Sequence, residues 1–143
     1  MAPACGWAGG RRRQRPRGMG SLVAQLMPAL EVMDGRSVLQ ELSEWHGDAL
    51  LVLGTASCGA CRRARAVLQG LTVDQLGGPP LRVVEVDALH AMGLIHDWEV
   101  DHLPGLVLVR GGEGWAMVSA PLDARPLAAA VCAARAGTAD PNL

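Results

Sequence analysis

An apolar run, ALLVLG at positions 49–54, ends four residues before the first of two cysteines, Cys58 and Cys61. A continuous apolar run of this length is typical of a strand that is buried on both faces, as in parallel sheets. The segment that follows, 58–69, has a helical pattern and is terminated by Gly70. A strand buried on both faces needs other elements packed on each side, so the chain is expected to form an α/β fold.

The rest of the chain alternates between strand and helix patterns. Strands are predicted at 29–33, 81–87 and 105–120, the last as a hairpin around a Gly-rich turn. Further helices are predicted at 34–47, 88–98 and 123–137. The order β-α-β-α-β-α-β-β-α indicates a central mixed sheet of four to five strands, flanked by helices on both faces.

The first 20 residues differ in composition from the rest of the chain. Five arginines lie in the stretch RRRQRPR at 11–17, among glycines and prolines. We expect residues 1–20 to be a disordered Arg/Gly-rich N-terminal extension, since they offer little apolar surface to bury. Residues 21–137 are then the folded domain, and residues 138–143 are a C-terminal tail.

The charge of the chain is divided between a basic N-terminal part and an acidic domain. After residue 18 there are eight arginines and fourteen acidic residues, a formal charge of −6. Phosphate affinity depends on clustered cations, so no nucleic-acid partner is expected for this domain. No stretch approaches the roughly 20 apolar residues of a membrane span, so no membrane partner is expected either.

The cysteine pair has the spacing of a redox centre. Residues at i and i+3 of a helix lie on the same side, about 5–6 Å apart at Cβ, and a small adjustment brings them to disulfide distance. Cys58 falls at the helix start, where unpaired N–H groups and the positive dipole end stabilise a thiolate and make it a nucleophile. Cys61, one turn deeper, is expected to be more buried and to serve as the resolving thiol.

The motif alone leaves three interpretations open: a redox pair, half of a metal site, or two small packed residues. A structural zinc site needs four ligands, and no second C-x-x-C or His pair completes one here. We therefore expect no metal ligands within one chain, although two subunits could share an ion. The chain has four cysteines, Cys5, Cys58, Cys61 and Cys132, which are too few and too unevenly spaced for a disulfide framework.

Residues 29–137 resemble the thioredoxin family. The stretch ALLVLGTASCGACRRARAVL is similar to the family's central strand, its W-C-G-P-C active site and its long second helix, and LRVVEVD is similar to the next strand. The stretch DWEVDHLPGLVLVRGGEGWAMVSA is similar to the segment that carries a cis-proline and then a hairpin. Pro104 lies 43 residues after Cys61, close to the family's spacing. The resemblance implies a thioredoxin-like fold with a CGAC active site.

The resemblance also implies a role for each residue that matches the family's motifs. Cys58 matches the nucleophilic cysteine and Cys61 the resolving cysteine. The Leu103–Pro104 bond is expected to be cis, with Pro104 facing the sulfurs and the backbone at Leu103 free to pair with an extended substrate segment. Three further positions are expected to assist the reaction: Gly59, Ala60 and His102.

Three positions depart from the family's pattern. Ser57 stands where the family has Trp before the first cysteine, and Ala60 where it has Pro before the second. Val52 stands where the family often has a buried Asp, thought to relay the proton of the resolving thiol. Without that carboxylate we expect slower resolution and longer-lived mixed disulfides. Two other residues are candidate bases: Glu85 and His102.

These observations together predict a thiol–disulfide oxidoreductase that reduces protein disulfides by dithiol exchange through Cys58 and Cys61. No cofactor is expected beyond the redox-active Cys58–Cys61 disulfide, and electrons would come from a thiol or a reductase. We expect a monomer in the cytoplasm, because no cleavable export signal is recognised, with the periplasm as the alternative. A non-catalytic thioredoxin-fold module for partner binding or assembly, and metal binding through the C-x-x-C, are the competing interpretations.

Overall fold

The computed structural model, which describes residues 29–143, has a five-stranded mixed sheet at its centre. The strands are β1 (Leu30–Met33), β2 (Asp48–Gly54), β3 (Leu81–Asp87), β4 (Gly105–Arg110) and β5 (Glu113–Val118). Their spatial order is β1-β3-β2-β4-β5. β3 is parallel to β1 and β2, whereas β4 is antiparallel to β2 and β5. The mixed sheet expected from the sequence is confirmed, with β2 in the middle.

Helices cover both faces of this sheet, also as expected. They are α1 (Val38–Ser43), α2 (Gly59–Gln69), α3 (Met92–Asp97) and α4 (Ala124–Ala136), with short 3-10 turns at Asp74–Leu76 and Ala88–His90. Successive strand residues point to opposite faces. Leu50 and Val52 of β2 therefore pack with α2 and α4, whereas Leu51 and Leu53 pack with α1 and α3. None of the helices within residues 29–143 is long and apolar enough to cross a membrane.

Two helices are shorter than their sequence patterns predict. The first begins at Val38 rather than at 34, because the Asp34 carboxylate accepts a hydrogen bond from the Arg36 backbone N–H at 3.0 Å. That local turn competes with the first turn of a helix. The segment 88–98 divides at Ala91, whose φ of −130° and ψ of 28° are not helical. Gly93, which as a glycine would be expected to weaken a helix, lies within α3 and does not interrupt it.

The structure describes the C-terminal end of the predicted domain but not its N-terminal end. The expected disordered extension at 1–20 and the expected domain start at 21 lie outside the described residues. At the other end, residues 138–143 lie against the hairpin. The Asp140 N–H donates to the carbonyl of Trp115 in β5 at 2.7 Å, and Leu143 packs against the core. The C-terminal tail therefore covers part of β5.

An ion cluster anchors the start of β2, at the end of the strand opposite to the cysteines. Asp48 is only 8% exposed, and its carboxylate accepts hydrogen bonds from Arg110 at 2.7 Å and from Arg135 at 2.8 Å. Arg135 also donates to the carbonyls of Leu76 and Gly78. Burial would raise the pKa of the Asp48 carboxyl, but the hydrogen bonds from the two arginines outweigh it and hold that pKa below its ordinary value.

We expect Asp48→Asn to lower the free energy of unfolding by about 3–5 kcal/mol at pH 7, because it leaves two partly buried cations without their anion. Asp48 has a lower pKa folded than unfolded, so its contribution is complete above about pH 4 and is lost as the pH falls through the folded-state pKa. The difference between wild type and variant should shrink below pH 4, as measured by urea denaturation.

The control for this prediction is Asp123→Asn, which removes the charge from the exposed Arg63–Asp123 pair. Those two side chains are 62% and 59% exposed. Asparagine also caps a helix as well as aspartate does, so a loss below about 1 kcal/mol is expected. Equal losses for the two variants would contradict the special role of the buried cluster.

Candidate active site

Cys58 and Cys61 form a disulfide at the N-terminal end of α2, with their Cα atoms 5.2 Å apart. Cys58 is the N-cap residue, in extended backbone conformation, and its sulfur accepts a hydrogen bond from the Cys61 backbone N–H at 3.1 Å. The end of the helix thus directs an N–H group at the Cys58 sulfur. The same donor would stabilise a thiolate there after reduction.

The two sulfur-bearing residues differ in their access to solvent. Cys61 is 2% exposed, under the first turn of α2, while Cys58 is half-buried. Ser57, Gly59 and Ala60 around them are exposed. An incoming protein can therefore approach Cys58 across an open surface, whereas Cys61 is shielded. This asymmetry suits one attacking and one resolving cysteine.

Gly54, the last residue of β2, makes room for the buried cysteine. A Cβ atom at this position would lie 2.8 Å from the Cys61 sulfur and 3.0 Å from the Cys61 Cβ. Only glycine permits the helix to lie this close to the strand. The sequence analysis did not identify this residue, although a glycine that ends an apolar strand four positions before a cysteine is a recognisable signal.

The face of the sheet below Cys61 carries no carboxylate at position 52. Val52 is buried in the apolar core, and its partner in the register of β3 is Glu85, which therefore points to the same face. The Glu85 carboxylate accepts hydrogen bonds from Nε and Nη2 of Arg65, one turn along α2 from Cys61. Of the two candidate bases, Glu85 thus lies on the correct face and is engaged by an arginine.

The backbone before β4 comes to the same edge of the sheet as the cysteines. The Leu103–Pro104 bond is cis, Pro104 is buried and Leu103 is half-buried. Gly105, the next residue, pairs with Leu53 of β2. β2 ends one residue after Leu53. The segment that contains Pro104 and the loop that leads to Cys58 therefore begin next to each other at this edge of the sheet.

The second candidate base, His102, is engaged at the surface. Its Nδ1 lies 2.7 Å from a carboxylate oxygen of Asp101, and both side chains are exposed. The hydrogen bond with His102 holds the pKa of the Asp101 carboxyl below its ordinary value. The observed side-chain contact of His102 is therefore with its neighbour in sequence, on the loop that leads to Pro104.

Two of the arginines that the sequence places near Cys58 are used as anchors for α2. Arg63 forms an ion pair with Asp123 at 2.6 Å and donates to the carbonyl of Leu122 at 2.9 Å. Arg65 forms the ion pair with Glu85. Each anchor neutralises its arginine, so these two residues contribute less positive charge at the disulfide than the sequence suggests. For metal binding, no group of three or more candidate ligand side chains occurs within residues 29–143.

Chains of known structure share this architecture. A single-residue mutant of thioredoxin from Halobacterium salinarum superposes with a TM-score of 0.60 at 20% identity, over 78% of this chain and 94% of that one. The first thioredoxin domain of mouse protein disulfide-isomerase A4 gives 0.61 at 17% identity, over 78% and 81%. Oxidised mitochondrial thioredoxin 3 from Saccharomyces cerevisiae gives 0.52 at 17% identity, over 63% and 82%.

No protein-family model and no curated protein sequence matches the chain. Although the sequence identities are low, the superpositions show that this chain has the same fold as these structures. The expectation of a thioredoxin-like α/β fold is therefore confirmed, and the cysteine pair lies at the end of its central strand.

The contact at Gly54 predicts that Gly54→Ala lowers the free energy of unfolding of the oxidised protein by about 1–3 kcal/mol. Neither the central strand nor the disulfide-bonded cysteine can move aside easily, so the added methyl group is accommodated by strain. Urea denaturation of the oxidised protein measures the effect.

Gly59→Ala is the matched control. Outside the adjacent residues and the backbone of α2, the nearest described atom to a Cβ there would be Arg62 Nη2, 3.9 Å away. That distance is an ordinary contact, and alanine is favourable in a helix. We expect a loss near zero or a slight gain in stability. If both glycine variants lost the same free energy, the close approach at Gly54 would not be a constraint.

Proposed function

We propose that this chain, which has the thioredoxin fold, is a thiol–disulfide oxidoreductase that reduces disulfide bonds in client proteins. The observation that carries the proposal is the pairing of a half-buried Cys58 at the start of α2 with a buried Cys61 bonded to it. The protein disulfide-isomerase domain and the thioredoxins share the fold. The chemistry itself is inferred from the site.

The reaction proceeds in two exchanges. In the reduced protein, the Cys58 thiolate attacks one sulfur of the client disulfide, forms a mixed disulfide and releases the other client sulfur as a thiolate. Cys61 then loses its proton and attacks Cys58, which restores the Cys58–Cys61 disulfide and releases the first client sulfur. The client gains two electrons, and the protein loses two.

A dithiol or a thiol-dependent reductase must then return two electrons to the disulfide. Net reduction requires a compartment that maintains a supply of thiols, so we place the reaction in the cytoplasm. Cys58 and Cys61 carry the electrons themselves, and we propose no further cofactor. The site lies at one edge of a single domain, which is consistent with action as a monomer.

The second candidate function is that of a non-catalytic binding module. It is favoured by the residues at the positions where the chain departs from the thioredoxin family's pattern. Val52 is deeply buried in apolar contacts and offers no route for a proton from Cys61. Ser57 and Ala60 leave the surface around the disulfide without the usual Trp and Pro. In this candidate, the same open surface would bind a partner without exchanging a disulfide. Metal binding through the cysteine pair would instead show as metal in the purified protein.

The direct test is reduction of insulin with dithiothreitol as electron donor. We expect the wild-type protein to accelerate insulin precipitation. Cys58→Ser should abolish the acceleration because it removes the nucleophile. Cys61→Ser should slow turnover strongly, because dithiothreitol must then resolve the mixed disulfide from solution. A wild-type protein that gave the same rate as Cys58→Ser would favour the binding module.

The Cys61→Ser variant also serves as a trap, because the mixed disulfide at Cys58 then has no intramolecular attacker. Clients recovered from lysate should be released by dithiothreitol and should be absent from a Cys58→Ser, Cys61→Ser control. Recovery of the same proteins from both variants would mean that binding, not exchange, had captured them.

The missing carboxylate predicts that proton removal from Cys61 limits resolution. We expect Val52→Asp to shorten the lifetime of the mixed disulfide by about tenfold, a modest part of the effect of a positioned base. Both Val52→Asp and Val52→Asn should destabilise the core, but Val52→Asn supplies no base and should leave the lifetime unchanged. Stopped-flow measurement of the second exchange gives the lifetime of the mixed disulfide in each protein. An equal lifetime for wild type and Val52→Asp would show that proton removal is not limiting.

A further inference from the structure

Arg62 is a cation beside Gly59, the exposed residue that follows Cys58. Its Nη2 atom is 3.9 Å from the position of a Cβ atom on Gly59, the residue directly after Cys58. Apart from Gly59 itself, Cys58, Ala60 and the backbone of α2, no other described residue has a heavy atom within 4 Å of that position. The guanidinium therefore folds back towards the start of α2 and borders the open surface across which a client would reach Cys58.

Unlike its neighbours, Arg62 has no carboxylate partner among residues 29–143. Arg63 is paired with Asp123, and Arg65 is paired with Glu85. Arg62 is exposed, so its charge is open to an incoming molecule. Of the three arginines in the first half of α2, it is the one whose five N–H donors remain available for recognition.

The charge of the surrounding domain makes this cation distinctive. The chain after residue 18 has eight arginines against fourteen acidic residues, so cations are in the minority in this part of the sequence. At an ionic strength of 0.15 M the Debye length is about 8 Å, which screens distant charges but leaves close contacts effective. An anion that touched the surface beside Gly59 would therefore interact with Arg62 at close range.

We propose that Arg62 selects clients that carry a carboxylate next to the disulfide they present to Cys58. The proposal rests on the proposed oxidoreductase function and adds its substrate class: protein disulfides with Asp or Glu beside the attacked cysteine. The guanidinium binds that carboxylate while the Cys58 sulfur attacks, so the contact orients the client disulfide at the exposed face of the pair.

A second action of Arg62 is separable from this one. A cation near Cys58 also favours the thiolate, and its removal would slow exchange with every client. That effect cancels in the ratio of rates for two clients that differ only in the charge beside the cysteine. The ratio is therefore the quantity that reports recognition.

The test uses three synthetic peptide disulfides that differ at one residue beside the cysteine: Asp, Asn or Lys. Reduced Cys61→Ser protein is mixed with each peptide at pH 7 and 0.15 M salt, and the rate of the first exchange is measured by stopped flow. We expect the Asp peptide to react about two- to fivefold faster than the Asn peptide, the range of an exposed ion pair, and the Lys peptide to react more slowly.

The matched variants are Arg62→Gln and Arg63→Gln, adjacent positions on the same helix with the same change of charge. The Asp-to-Asn ratio should fall to about one in Arg62→Gln and should be retained in Arg63→Gln and Arg62→Lys. Circular dichroism and urea denaturation establish that the variants are folded. An Asp-to-Asn ratio near one in the wild type overturns this inference but not the proposed function. An Arg62→Gln ratio equal to that of the wild type does the same. No exchange with any peptide overturns the proposed function, and this inference with it.

Discussion

The close contact between Gly54 of the central strand and Cys61 of α2 is the constraint on which the site depends. Because position 54 has no side chain, the helix lies close enough to the strand to bury Cys61 almost completely. Cys58, at the cap of the same helix, remains half-buried and receives an N–H group from Cys61. One covalent pair therefore presents one accessible sulfur and one shielded sulfur, the arrangement that a two-step exchange requires.

Apolar packing and ion pairs hold α2 over the sheet in different ways. Ala64 and Leu68 are fully buried, and the burial of their apolar side chains stabilises the docking of α2. Two ion pairs, Arg63–Asp123 and Arg65–Glu85, then set its orientation relative to α4 and β3. Pairs this exposed stabilise a fold only weakly. Their larger consequence is electrostatic, because they neutralise two arginines and leave the charge of Arg62 unpaired beside Gly59 among the described residues.

The same geometry distinguishes the first exchange from the second. Attack by Cys58 is favoured by an open surface, a helix N-terminus and a nearby cation. Resolution by Cys61 takes place over a face where Val52 is apolar and Glu85 is bound by Arg65. In the proposed reaction, a site with this imbalance would form mixed disulfides readily and release them slowly. Such a protein would hold each client longer, and selection at the first contact would then matter more.

Local periodicity, caps and spacing were enough to predict the order of strands and helices, the strand at 81–87, the helix after Cys58 and the C-x-x-C pair at its start. They did not determine which charges pair. Arg63 meets Asp123 across 60 positions and Arg65 meets Glu85 across 20, so only the folded chain separates them from Arg62. The fit of Cys61 against Gly54 was likewise decided by tertiary structure, since the distance between a helix and a strand depends on every residue packed between them.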